Sequence, residues 1–143
     1  MKQIYEIFEE FEAMEMPEEK IQVLRNNATY ALKMVLLGTF RPDIQFDVEI
    51  PPYKKVEMPP GMSYSSLQTE LRRVYLFEKG NPKRPPGLTP ARQRDILIQI
   101  LETLEEKEAM VFAGMLRKDL GVPGLTAEVA EEAFPGLMAQ PLN

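Results

Sequence analysis

An all-α fold is what this sequence of 143 residues predicts, on three observations. Apolar residues recur at three- and four-residue spacing through most of the chain, the pattern of a helix with one buried face. Helix punctuation flanks those runs: Pro17, Thr89 with Pro90, and Thr126 open them, while Gly38, Gly80 and Pro135-Gly136 close them. The only strand-like alternation, residues 44–50, has no second alternating run to pair with. With 44% apolar and 27% charged residues, the composition is that of one globular domain over 1–143 with a single core.

Ile4, Ile7, Phe8 and Phe11 set the inner face of a first helix that ends at Met14 or Met16, its glutamates on the wet side. Pro17 opens a second helix, where its missing N–H does no harm and Glu18 and Glu19 suit the positive end of the dipole. Ile21 and Leu24 point inward. After Asn26 and Asn27 a third helix covers Ala28 to Leu37, with Tyr30 or Ala31, Met34, Val35 and Leu37 as buried candidates and Gly38 as its stop.

Residues 40–62 hold Pro42, Pro51, Pro52, Pro59 and Pro60, interleaved with Ile44, Phe46, Val48 and Ile50. This stretch reads as an extended, polyproline-like connector laid across the helices and anchored by those four side chains. Ser65 with Gln68 resembles a capping box, opening a long helix to Lys79 with Leu67, Leu71, Val74, Tyr75 and Phe77 as its inner face. A turn follows from Gly80 to Gly87. Thr89 and Pro90 then start a helix whose face is Ile96, Leu97, Ile100, Leu101 and Leu104. Glu105 to Leu116 forms another, and Thr126 to Ala133 a short last one. Seven helices and one connector make a compact multi-helix domain.

Cysteine and histidine are both absent. That removes thiol nucleophiles, imidazole bases, disulfides and zinc sites built on sulfur or nitrogen. Tyr64 and its flanking serines have no activating base, and no glycine-rich phosphate loop is present. Asp43, Asp47 and Glu49 read as solvated loop carboxylates rather than a cation cage. No cofactor is expected. No apolar run has membrane-span length and residues 1–16 are acidic, so the expectation is a cytoplasmic protein with no membrane partner.

The net charge of −5 is unevenly placed. Residues 1–19 carry seven acidic residues against Lys2, and residues 101–143 carry eight against three basic ones. Residues 61–100 reverse the sign, with Arg72, Arg73, Lys79, Lys83, Arg84, Arg92 and Arg94 against Glu70, Glu78 and Asp95. A basic block in an acidic chain attracts polyanions locally, and it also serves as ordinary solvated surface. Arg117 and Lys118 have two roles open to them as well: phosphate contact, or compensation of the dipole of the helix they follow, with Asp119 capping the turn.

The C-terminal motif adds a resemblance. Lys118, Asp119, Leu120, Gly124, Phe134, Pro135, Gly136 and Leu137 follow the pattern that ends the N-terminal, all-helical DNA-binding domain of ATP-dependent DNA ligases of T4-like phages. The whole sequence also resembles a family of small proteins of marine T4-like phages. Two features depart from the ligase pattern: one extra residue between Leu120 and Gly124, and no Lys-x-Asp-Gly for nucleotidyl transfer. The resemblance implies a non-enzymatic, stand-alone relative of the DNA-gripping domain, serving phage replication or repair and contacting duplex or nicked DNA through Arg72, Arg73, Lys79, Lys83, Arg84, Arg92, Arg94, Arg117 and Lys118. The alternative expectation is a protein-interaction module that docks on a phage or host enzyme through its acidic helices and Pro-rich segment.

Overall fold

Seven α-helices form within residues 2–139, the part of the chain that the computed structural model describes. They are α1 (Ile4–Ala13), α2 (Pro17–Asn26), α3 (Tyr30–Phe40), α4 (Leu67–Glu70), α5 (Pro90–Thr103), α6 (Glu106–Leu116) and α7 (Ala127–Ala133). A 3₁₀ segment, Leu71–Leu76, continues α4, and a 3₁₀ turn at Leu137–Ala139 follows α7. Among the described residues there is no sheet, only one isolated antiparallel bridge.

Local chemistry fixes the helix starts. The backbone N–H of Met16 donates to the Glu19 carboxylate at 3.2 Å across the first turn of α2. Thr29, Thr89 and Thr126 cap α3, α5 and α7, each hydroxyl accepting from the N–H three residues on. Helix α6 lies at the centre, packed against α1, α3, α4 and α5. Its Ala109 and all of Val111 to Leu116 are buried, and Phe112 meets Phe77 edge to face with ring centroids 6.3 Å apart. Helix α7 packs on α2, where Arg25 donates to the carbonyls of Glu132 at 2.8 Å and Ala133 at 3.2 Å. One contiguous apolar core results.

The structure departs from the sequence expectations at both ends of α3, which starts at Tyr30 rather than Ala28, in residues 65–79 and their cap, and in the connector. Gly38 does not stop α3, which runs on to Phe40. It serves close approach instead: a Cβ there would lie 2.9 Å from the Met115 sulfur on α6. The long helix expected from Ser65 to Lys79 is one α-turn followed by 3₁₀ backbone. Its cap is Ser66, which accepts from the Thr69 N–H at 3.1 Å, while the Ser65 hydroxyl donates to the buried Glu70 carboxylate.

The physical reason lies in the connector, which does have a partner. Asp47 N–H donates to the Phe77 carbonyl at 3.1 Å and Lys79 N–H to the Gln45 carbonyl at 2.7 Å, pairing Phe46 with Glu78. Continued helix would forfeit both bonds and withdraw Phe77, which is fully buried. The alternation in 44–50 is put to use: Ile44 is buried, and Phe46, Val48 and Ile50 pack half-buried on the core. The connector then follows α5 outward, with Lys54 N–H donating to the Glu102 carboxylate at 2.7 Å and Glu106 N–H to the Val56 carbonyl at 2.7 Å. The 3₁₀ segment runs back along α5, since Gln93 donates to the Leu76 carbonyl at 2.9 Å.

Candidate functional site

Asp47 organises the basic block. Its carboxylate accepts from Arg84 Nη1 at 2.8 Å on both oxygens and from Gln93 Nε2 at 3.3 Å. Partial burial pushes this carboxyl up, but the Arg84 and Gln93 hydrogen bonds and the Arg84 charge outweigh it and hold the group below its ordinary value. Arg84 also reaches the Glu78 carbonyl, and Gln93 the Leu76 carbonyl. The 77–84 turn and the start of α5 are therefore pinned to the same three connector residues, Gln45 to Asp47. Lys79, Lys83, Arg92 and Arg94 all stem from these pinned segments.

The cations singled out in the sequence divide into two groups. Arg84 is tied to Asp47, and Arg73 pairs with Glu70 at 3.2 Å. Lys118, in the left-handed region at φ 62°, turns its ammonium onto the carbonyls of Gly38, Arg41 and Ile44 at 2.7, 2.8 and 2.6 Å. It closes the C-terminus of α3 rather than of its own helix. Burial pulls its pKa down, against the Asp43 and Glu78 carboxylates. Arg117 is exposed but shares its groove with Glu9, Glu12 and Asp119, an acidic setting. Arg72, Lys79, Lys83, Arg92 and Arg94 remain exposed, with no ion pair among the described residues.

Helix polarity reinforces that end of the molecule. The first turn of α5 has no carboxylate, in contrast to α1, α2, α6 and α7. Its positive dipole end is thus left uncompensated beside Arg92 and Arg94. At the far end of α5, roughly 20 Å away at 1.5 Å per residue, the sign is opposite. There Glu6, Glu9, Glu57, Glu105 and Glu106 line an open cleft with Pro59, Pro60 and one cation, Lys107, which pairs with Glu9 at 3.1 Å.

The hub itself was missed in the sequence, although a signal was present: Gln93 is a polar residue one turn before Ile96 and Leu97 on the apolar face of α5, and it is buried. Among the described residues, no helix is long and apolar enough to cross a membrane. Residues 7–122, spanning the connector and all nine cations of the expected contact set, match a family model described as a family of unknown function (DUF6433). The chain belongs to that family. The match ends before α7, whose packing against α2 and α3 is part of the same fold in this chain. No curated protein matches the chain.

Proposed function

We propose that the chain is a non-catalytic DNA-binding protein that grips duplex or nicked DNA through its phosphate backbone. One observation carries the reading: among the described residues five exposed cations have no ion pair, with Lys79, Lys83, Arg92 and Arg94 on segments held together around Asp47 beside a helix start that lacks a carboxylate, and Arg72 on the 3₁₀ segment that Gln93 ties to them. Displacing counterions with several such groups supplies most sequence-independent affinity, and a helix N-terminus adds favourable anion contacts. The likeness of residues 115–137 to the end of a ligase DNA-binding domain points the same way, to an accessory role in phage replication or repair within the host cytoplasm. Arg73, Arg84, Arg117 and Lys118 are left out of the proposed contact set because their partners or surroundings occupy them.

A fluorescence anisotropy titration with nicked, intact and single-stranded DNA at low salt tests this. Binding of both duplex forms supports the grip; no binding to any of the three refutes it. The acidic cleft at the opposite pole, with its two prolines, favours a second reading, in which that face docks on a basic surface of a phage or host enzyme. The two faces are far enough apart for the readings to coexist.

A further inference from the structure

Between α3 and the 3₁₀ segment lies a groove of about 280 Å³. Its floor is apolar, built from Ile44, Leu71 and Met115, all buried. Two aromatic rings line it as well: Tyr30, 70% exposed on the first turn of α3, and Tyr75, half-buried on the 3₁₀ segment. Two polar side chains complete it. Arg72 is one of the cations without an ion pair, and the Gln68 amide makes no hydrogen bond among the described residues.

We infer that this groove receives one unpaired nucleobase of the DNA whose backbone the basic pole holds, an inference that rests on the DNA reading above. The volume lies at the small end of ligand sites, enough for one ring system rather than a peptide segment. Tyrosine rings offer a stacking surface to any base, a buried apolar floor suits a flat π-system, and an uncommitted amide both donates to and accepts from a base edge. Arg72, on the same groove, meets the phosphate adjacent to the inserted base, and Glu78 and Asn81 of the pinned turn complete the lining on the side of the basic block. A second groove, between α1 and α6, carries exposed Met110, but its border of Glu9, Glu12 and Asp119 against Lys107 and Arg117 keeps a net negative charge, whereas Arg72 balances Glu78 in the groove beside the basic block.

The test uses three versions of one DNA duplex: fully paired, with a single bulged nucleotide, and with the same bulge made abasic. Anisotropy at fixed salt with the full chain is expected to give about tenfold tighter binding to the bulged base than to the abasic bulge, the worth of one aromatic stack. Tyr30→Ala, on an exposed ring, is expected to erase that difference while leaving affinity for the paired duplex unchanged, and Gln68→Ala to reduce it. Equal binding of the bulged and abasic duplexes, with paired DNA still bound, overturns the base site and leaves the backbone grip standing. A preference for the bulged base that persists in Tyr30→Ala also overturns the assignment to this groove. Loss of all DNA binding removes the underlying reading, and the base site with it.

Discussion

Lys118→Met strips an ammonium from three carbonyl oxygens and leaves its aliphatic stem in place, so it isolates what that charge does for the end of α3. Hydrogen bonds to charged groups are individually worth more than neutral ones, and the expected loss is about 2 kcal/mol by urea denaturation. An unchanged midpoint would mean that solvent replaces the lysine freely. Two carboxylates act in opposite directions with pH. Asp47 sits below its ordinary value, so its contribution is complete above the unfolded carboxylate range and is lost as pH falls through its folded pKa; its partial exposure keeps this under about 1 kcal/mol. Burial raises Glu108, opposed by its bonds to the Leu67 N–H and the Ser63 hydroxyl and helped by the Glu105 and Glu6 charges. A raised carboxylate favours the fold fully below its unfolded value, and that advantage disappears as pH rises through its folded pKa. Glu108→Gln therefore gains thermal stability relative to the parent between pH 4 and pH 7; a constant difference across that range contradicts the assignment. None of this was legible at the residue scale, because Lys118 reaches back across 74 to 80 residues and Glu108 is buried where α6 packs against α1 and α4.

At the scale of elements, the chain announced helices wherever local signals acted alone. Thr89 with Pro90, Thr126 and Pro17 mark helix starts that the structure keeps, because capping and proline placement are settled within a few residues. Residues 65–79 went the other way: their helical spacing lost to two backbone bonds made with Gln45 and Asp47 and to the burial of Phe77. Glycine was equally ambiguous. Gly38 and Gly114 both lie inside helices, where glycine costs about 1 kcal/mol against alanine, and both are there for contact. A Cβ on Gly114 would come within 2.9 Å of the Asp119 carbonyl oxygen and 3.2 Å of the Leu120 Cα, backbone atoms that move only with the turn after α6. Gly114→Ala is expected to destabilise by about 1–3 kcal/mol despite its better helix propensity. A stabilised variant would show that the turn relaxes without cost.

Across the whole molecule, α5 joins a basic end carrying Lys79, Lys83, Arg92 and Arg94 to a cleft lined by Glu6, Glu9, Glu57, Glu105 and Glu106, with the connector and the 3₁₀ segment lying along its length. The fold class and the basic block were both legible, since each depends on residues near one another in the chain. Which cations stay available was not, because Asp47 claims Arg84 across 37 residues and the carbonyls of Gly38, Arg41 and Ile44 claim Lys118 across 74 to 80, and only the Arg73–Glu70 pair is local. Any test of the basic pole must therefore spare Arg84, whose removal would unpin the 77–84 turn, and use Lys83 and Arg92, which are exposed. The decisive measurement is the salt dependence of duplex affinity for the parent chain and for Lys83→Ala with Arg92→Ala. With four to five phosphate contacts at about 0.9 each, log affinity against log salt should fall with a slope of about −4, and the double variant should flatten it by about 2 units with its melting temperature unchanged. A slope near zero in the parent, or one that the two substitutions leave untouched, would contradict the phosphate grip.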